Sequence, residues 1–460
     1  MGEQSKKTKN LFSKFNMTTN EELLKRYKAV LPSFVTPLYE TPISIDYGKG
    51  SYVWDLEGKR YLDFFGGILT TMIGHSVPEV IEAVQRQATK VMHTSTLYMN
   101  EEVISFAEEV AAESGIPDAR VLFTTSGSEA NDTAILLATN YRGSNQILAM
   151  RNSYHGRSLT TQAVTSHRSW LTSSYSGLDV HFVQGPYRLR SPFKDLEDEA
   201  FTQACVSDLV QLLDMTDAGG FAALIAEPIQ GVGGFATPPD GFFGAMHKVL
   251  SANDILFISD EVQTGWGRTG DHFWGYEAHG ITPDILTFAK GVGNGITLAG
   301  CVARAEVMNV LDRTSFTTFG GNPLSVVAGR ATLKYVKDHE LQANAAVRGE
   351  QMTDLLADAC QKTDWVAELR GKGLMQAIEC VQPDSIEPNA AAAAKLIEAC
   401  KDNGLLVGKG GLYGNVIRLT PMLNVNEDEM TEGCEIIIQA LESISAVSYT
   451  HLTLPTILLV

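Results

Sequence analysis

Two ionisable residues, each at the end of an apolar run, could do chemistry together. Lys290 closes the run that starts at Asp284, and Asp260, thirty positions earlier, closes the run that starts at Ile255. If the runs are neighbouring strands, an amine and a carboxylate meet at one edge of a sheet. Pyridoxal phosphate needs such a pair, because its aldehyde forms a Schiff base and its protonated pyridine nitrogen needs an anion. The pair therefore predicts a pyridoxal-phosphate site, although Lys290 alone could be a solvated lysine after a strand.

A glycine between two serines marks a second candidate position. Ser126, Gly127 and Ser128 follow the apolar run Val121–Thr124 and begin a helical pattern. The free N–H groups of a helix N-terminus bind anions, so a phosphate group fits here. An ordinary serine cap of the helix is the alternative interpretation.

Other candidate site residues follow further apolar runs. Tyr154 and His155 come after the run Ile147–Arg151. The Tyr154 ring could stack on a pyridine ring, or simply fill a core or an interface. Glu227 ends the next run, and it is either a further site residue or simply part of a turn. Arg418 lies in an apolar setting, where it could bind a substrate carboxylate through two parallel hydrogen bonds or form a structural ion pair.

A parallel sheet would bring these residues together. The candidate strands are Val121–Thr124, Ile147–Arg151, Ala222–Glu227, Leu256–Asp260 and Ile285–Ala289. They are nearly continuous apolar runs separated by helical patterns, as expected for strands that helices cover on both faces. Ligands of such folds bind beyond the carboxyl ends of the strands, where the candidate residues lie. The sequence therefore predicts an α/β fold with a mostly parallel sheet covered by helices.

The chain has 460 residues, which exceeds one compact core and predicts two domains. Residues 81–325 are predicted to form a large cofactor-binding domain. Residues 1–80 and 326–446 are predicted to form one smaller α+β domain, with short strands around Gly371–Glu379 and Val416–Leu419.

The last residues, 447–460, break the pattern. They are uncharged, apolar and β-prone, and they follow a helical pattern that ends before them. The segment resembles translated sequencing adapter, and we interpret it as a non-native tail. A native closing strand is the alternative.

Composition excludes several classes of function. The formal charge of -18 disfavours nucleic acid and anionic membranes as partners. No apolar run is long enough to span a bilayer, and no signal-peptide pattern follows the first residues. The six cysteines include no C-x-x-C pair, which argues against a zinc site and a disulfide framework. We therefore expect a cytoplasmic protein without a metal ion.

Six short motifs occur in one order along the chain. They are Ser126–Asn131, Tyr154–Arg157, Glu227–Gly231, Asp260–Gly265, Ala289–Gly291 and Thr318–Pro323. Together they resemble the class III pyridoxal-phosphate aminotransferases of fold type I, and the resemblance extends from about Leu31 to Ala446. Residues 270–280 and 288–295 are most similar to the alanine–glyoxylate aminotransferases of the mitochondrial type and to their bacterial relatives, which include β-alanine–pyruvate enzymes. Residues 296–301 depart from this pattern, because relatives usually carry Phe-Pro there, and the exact substrate stays open.

The resemblance implies a role for each candidate residue. Lys290 would form the Schiff base and then carry the proton, and Asp260 would pair with the pyridinium nitrogen. Ser126, Gly127 and Ser128 would bind the phosphate, Tyr154 would stack on the ring, and Gln263 would contact the phenolic oxygen. His155 would lie in the cofactor pocket, with Glu227 on its substrate side. Arg418 would bind the substrate carboxylate. Thr318 would reach the phosphate of the other subunit's cofactor, so a homodimer, or a dimer of dimers, is implied.

The resemblance also implies a reaction. An amino group would pass from alanine, β-alanine or a similar amino acid to a small oxo acid such as glyoxylate or pyruvate, in a ping-pong cycle. The alternative among enzymes is an ω-transaminase acting on 4-aminobutyrate, ornithine or a diamine, and a mutase or racemase of the same fold is less favoured. A catalytically silent binding protein of this fold is the alternative from another class. The presence of both Lys290 and Asp260 argues against it.

Overall fold

A computed structural model describes residues 19–216 and 218–452, with side chains as far as residue 445. Its strands are β1 (Ile45–Lys49), β2 (Tyr52–Asp55), β3 (Arg60–Asp63), β4 (Ala119–Thr124), β5 (Gln146–Met150), β6 (Asp179–Val183), β7 (Ala223–Ala226), β8 (Leu256–Asp260), β9 (Ile285–Phe288), β10 (Ala299–Arg304), β11 (Val366–Lys372), β12 (Met375–Cys380), β13 (Leu405–Leu406), β14 (Gly408–Gly410) and β15 (Val416–Leu419).

Helices alternate with these strands over much of the chain. They are α1 (Asn20–Val30), α2 (Gly66–Leu69), α3 (Pro78–Ala88), α4 (Glu101–Glu113), α5 (Gly127–Arg142), α6 (Leu159–Ala163), α7 (Asp198–Thr216), α8 (Phe242–Ala252), α9 (Ala305–Met308), α10 (Pro323–Asp338), α11 (Leu341–Lys362), α12 (Ala390–Asp402) and α13 (Glu427–Leu452). No helix among the described residues is long and apolar enough to cross a membrane.

The central sheet follows the spatial order β4-β10-β9-β8-β7-β5-β6 in the described part of the chain. The pairs from β9 to β6 are parallel, whereas β10 runs antiparallel to both of its neighbours, β4 and β9. The predicted α/β fold with a mostly parallel sheet is therefore confirmed. Two of these strands, β6 and β10, were not predicted.

Apolar side chains cover both faces of this sheet. Leu148 and Met150 of β5 belong to a core that includes residues of α7 and α8. Ile147 and Ala149 of the same strand belong to another core, which includes the apolar face of α5. Because successive side chains of a strand point to opposite faces, this division places helices on both sides of the sheet.

The two ends of the chain share a smaller sheet. Its strand order is β1-β2-β3-β13, and Leu62 of β3 pairs in parallel with Leu405 of β13. A second small sheet has the order β11-β12-β15-β14 and carries Arg418 on β15. The predicted division into a large and a small domain, with boundaries at residues 80 and 325, stays a prediction.

Helix α13 includes the first part of the predicted non-native tail. Its backbone is helical as far as Leu452, so residues 447–452 form no closing strand, and residues 453–460 lie outside the described residues. The last described core contacts come earlier, since Leu441 is fully buried and the indole of Trp365 donates to the hydroxyl of Ser445 at 3.1 Å.

We expect deletion of Val447–Val460 to leave activity and melting temperature unchanged. The deletion keeps the contacts of Leu441 and Ser445, and it removes an uncharged, β-prone segment of a kind that pairs between chains. Thermal melting and size-exclusion chromatography check this. A deletion that starts at Leu441 is the matched control and should destabilise the fold by removing a fully buried side chain. Unfolding of the shorter deletion would show that the tail is native structure.

Candidate active site

Asp260 is held in a buried hydrogen-bond network at the end of β8. Its Oδ2 atom accepts from Asn131 Nδ2 at 2.7 Å and contacts His155 Nδ1 at 2.8 Å. Its Oδ1 atom accepts from the Val262 N–H at 3.2 Å. Asn131 is fixed in turn, since its Oδ1 accepts from the Thr287 hydroxyl at 2.7 Å. The network orients one carboxylate at the sheet edge and leaves Oδ1 room for a further donor.

Lys290 follows β9, with its backbone in the left-handed region at a φ of 53°. Such a conformation strains a residue with a side chain and is found most often at functional positions. The side chain is half-buried beside a cavity of about 300 Å³ whose lining includes Thr70, Gly127 and Leu298. Burial lowers the pKa of the Lys290 amine to about 8, while the carboxylates of Asp260 and Glu227 oppose this and the Arg418 guanidinium adds to it. The structure thus brings together Lys290, Asp260, Glu227 and Arg418, four of the ionisable residues that the sequence singled out.

The start of α5 lines the same cavity. Ser126 caps the helix, because its hydroxyl accepts from the Glu129 N–H at 3.2 Å, and the capping interpretation is correct for this residue. The Ser128 hydroxyl accepts from the Arg157 N–H at 3.0 Å. Gly156 has a φ of 141°, and a Cβ atom there would lie 2.4 Å from Ser128 Oγ. Glycine therefore lets the loop after β5 approach the helix start, where backbone N–H groups can bind an anion.

Glu227 and Gln263 occupy buried positions on two loops after the sheet strands. Glu227 accepts from the Tyr154 N–H at 3.0 Å and from the Gly231 N–H at 2.8 Å, and burial raises the pKa of its carboxyl group. The Oε1 atom of Gln263 is buried without a hydrogen-bond partner. A Cβ atom at Gly231 would lie 2.0 Å from Gln263 Nε2, so glycine is required for this close packing.

Arg418 is a buried cation without a carboxylate partner among the described residues. Its Nε atom donates to the Lys409 carbonyl at 3.0 Å, and its Nη1 atom is buried without a hydrogen-bond partner. The guanidinium lies 5.2 Å from the centroid of the Phe65 ring and 5.6 Å from that of Phe235. Burial lowers the pKa of Arg418 to about 10, opposed by Glu227. Among the described residues, Arg418 does not form the structural ion pair of the alternative interpretation.

Two predicted residues lie at the margin of this arrangement. Tyr154 is half-buried, and its ring contacts the Trp170 ring edge-on at 5.3 Å. Thr318 is exposed and does not line the cavity beside Lys290. A role of Thr318 toward a second subunit therefore stays a prediction.

A family model described as Aminotransferase class-III matches residues 36–441. The chain belongs to the class III aminotransferases.

Similar proteins of known name are also aminotransferases. This chain is 38% identical to alanine–glyoxylate aminotransferase 2 homolog 2, mitochondrial, of Arabidopsis thaliana, over 88% of this chain and 84% of that protein. It is 34% identical to acetylornithine aminotransferase of Methanothermobacter thermautotrophicus, over 86% of this chain and 93% of that protein. Among solved structures, the (S)-enantioselective omega-transaminase of Thermomicrobium roseum has a TM-score of 0.85 at 30% identity, covering 94% of this chain and 100% of that chain.

The cofactor of this aminotransferase is pyridoxal phosphate, and the site has the chemistry to hold it. The unpaired Gln263 Oε1 and the remaining lone pair of Asp260 Oδ1 offer acceptors for ring groups. The N-terminus of α5 offers N–H donors for a phosphate, and Lys290 offers an amine with a lowered pKa.

The residues that hold the ionisable groups in place were not predicted. Asn131 lies in the motif Ser126–Asn131 but was assigned no role, although a polar residue beside the apolar face of α5 was a usable signal. Phe65 and Phe235 gave no signal, because both lie far from Arg418 along the chain and contact it only in the folded protein.

Proposed function

We propose that this aminotransferase moves an amino group from alanine, β-alanine or a similar amino acid to a small oxo acid such as glyoxylate or pyruvate. The observation that carries the proposal is the buried, unpaired Nη1 atom of Arg418. A buried guanidinium without a carboxylate is costly, so a substrate carboxylate would complete its hydrogen bonds. In a ping-pong cycle both the amino acid and the oxo acid bring this carboxylate, one after the other.

The chain's own residues supply the remaining steps. When bound, the cofactor supplies an electron sink for the bond that is broken. Lys290, whose amine has a pKa of about 8, can accept a proton from one carbon and return it to another. Asp260 holds a fixed negative charge, because Asn131 and His155 bind its Oδ2 atom. The N-terminus of α5 binds the phosphate, with Gly127 and Ser128 closest in sequence to the free N–H groups.

The ω-transaminase function remains the second candidate. The likeness to the omega-transaminase of Thermomicrobium roseum favours it, and so does the composition of the cavity wall. Ile296, Thr297 and Leu298, which depart from the pattern of the alanine–glyoxylate group, line the cavity beside Lys290. The substituted positions therefore lie where they can change which side chain of the substrate fits.

A homodimer belongs to the proposal. Thr318 lies in a loop with the exposed side chain Phe319, which contacts His93 at a ring distance of 5.0 Å. The neighbouring loop exposes Tyr98 at 71% and Met99 at 95%. Large exposed apolar patches are typical of protein–protein interfaces, so we assign this one to a second copy of the chain. Light scattering of the purified protein checks the mass.

A cytoplasmic location is also part of the proposal. All six cysteines are free and buried, which suits a reducing compartment. The relatives named as mitochondrial provide the alternative compartment, and fractionation of the source cells separates the two.

We expect Arg418→Ala to raise KM for both the amino acid and the oxo acid. Loss of a charge-assisted contact made through two hydrogen bonds should cost roughly 2–4 kcal/mol in kcat/KM. Amines without a carboxylate should lose much less. Kinetics with alanine, pyruvate and 1-phenylethylamine measure the difference.

The matched control is Arg60→Ala, which removes an exposed arginine from the small domain and should change none of these values. Equal losses of Arg418→Ala for substrates with and without a carboxylate, at unchanged stability, would remove Arg418 from the carboxylate site.

A further inference from the structure

A second buried arginine has no carboxylate partner in the described part of the chain. Arg268 lies in the loop after β8 and is 2% exposed. Its Nη1 atom donates to the carbonyl of Pro421 at 2.5 Å and to that of Leu374 at 3.3 Å. Burial lowers the pKa of Arg268 to about 9. Two carbonyl oxygens offset only part of the free-energy cost of burying this charge, so packing alone does not explain an arginine at this position.

Both carbonyl acceptors lie next to the strands that position Arg418. Leu374 directly precedes β12, and Pro421 follows β15 by two residues. The two strands are neighbours, and Ala377 of β12 pairs with Arg418 of β15. Arg268 therefore links the adjacent ends of β12 and β15, the two strands that fix the position of the Arg418 backbone.

The loop that carries Arg268 also contacts the small sheet through its backbone. The Leu374 N–H donates to the Arg268 carbonyl at 3.1 Å, so backbone and side chain of Arg268 bind the same residue. A Cβ atom at Gly373 would lie 2.5 Å from the carbonyl carbon of Thr269. The two segments are therefore in close contact, and the Arg268 side chain adds two hydrogen bonds that fix their relative position.

The other end of the loop carries residues of the cofactor site. Asp260 and Gln263 lie at its start, and Glu261 between them is fully buried. Glu261 accepts from the N–H groups of Gly275 and Tyr276, both at 2.8 Å, and also from the hydroxyls of Ser259 and Thr264. These bonds hold the loop rigid between Asp260 and Arg268.

We propose that Arg268 is a positioning residue that sets the spacing between the cofactor ring at Asp260 and the substrate carboxylate at Arg418. The inference rests on the proposed function, in which Arg418 binds that carboxylate. Arg268 touches neither the ring nor the substrate and acts only through the strands that carry Arg418.

The test uses Arg268→Gln and Arg268→Lys in the holoenzyme, with single-turnover half-reactions and binding of propionate, a carboxylate without an amine. Displacement by a fraction of an ångström should weaken propionate binding and kcat/KM for alanine about tenfold, with 1-phenylethylamine changed less than about twofold. The absorbance spectrum and the cofactor affinity should stay unchanged. Arg268→Lys should recover part of the loss, because an ammonium group can still reach one carbonyl.

The control variant is Arg330→Gln, which removes an arginine that pairs with Glu102 and Glu109 on another face. Equal losses for all substrates, a loss of cofactor, or failure of both Arg268 variants to fold would show a structural role and overturn the inference. If Arg418→Ala discriminates carboxylates and Arg268→Gln does not, only this inference fails. If Arg418→Ala does not discriminate them either, the proposed function fails first.

Discussion

Replacing Lys290 by alanine is expected to abolish steady turnover and the covalent link between chain and cofactor. No other lysine lines the cavity beside the start of α5 in the described part of the chain, so no other amine can substitute. The rate should fall by at least about 10⁴-fold, because the variant loses both the nucleophile and the proton carrier. Borohydride reduction of the wild type followed by peptide mapping locates the attached lysine directly.

The matched variant is Lys248→Ala, which removes an exposed lysine from α8 and should retain full activity. A reduced cofactor attached to any lysine other than Lys290 would contradict the assignment. A fully active Lys290→Ala enzyme would do the same.

Replacing Asp260 by asparagine is expected to keep the cofactor bound but to slow proton abstraction greatly. An amide carries no negative charge and cannot hold the pyridine nitrogen protonated, so the ring becomes a poorer electron sink. The half-reaction rate should fall by about 10²–10³-fold, the size seen when one aligned electrostatic contact is removed from a buried site. Stopped-flow measurement of single half-reactions with alanine gives this rate.

Asp254→Asn makes the same chemical change at an exposed position before β8 and serves as the control. Cofactor content, read from absorbance, separates a slow enzyme from an empty one. Half-reaction rates of Asp260→Asn close to those of the wild type would mean that the carboxylate does not control the ring.

The strands that carry the main chemistry could be predicted because they are buried and apolar. Leu256–Asp260 and Val416–Leu419 have the predicted bounds. The strand Asp179–Val183 was missed, because it lies at the sheet edge and its polar Asp179 and His181 hide the apolar pattern. The strand Ala299–Arg304 was missed because small residues dominate it and because it runs against the parallel pattern.

The geometry around the ionisable groups could not be predicted in the same way. The turn at α2 has Ile68 in the left-handed region, with a φ of 69°, which a β-branched residue rarely adopts and no sequence pattern indicates. The contacts of the Phe65 and Phe235 rings with the Arg418 guanidinium join segments that are distant in sequence. Local propensity carries no information about such contacts.

The pairing of β4 also decides when the site can form during synthesis. The only sheet neighbour of β4 within the described residues is β10, and Ala299–Arg304 is the last segment of that sheet to leave the ribosome. The parallel partner of β3, which includes Leu405, is synthesised even later. Since such long-range pairings form slowly, the nascent chain presents the helix start at Ser128 before any completed sheet supports it. Pyridoxal phosphate can therefore stabilise the enzyme only as a late ligand of a nearly finished chain, not as a template for its early folding.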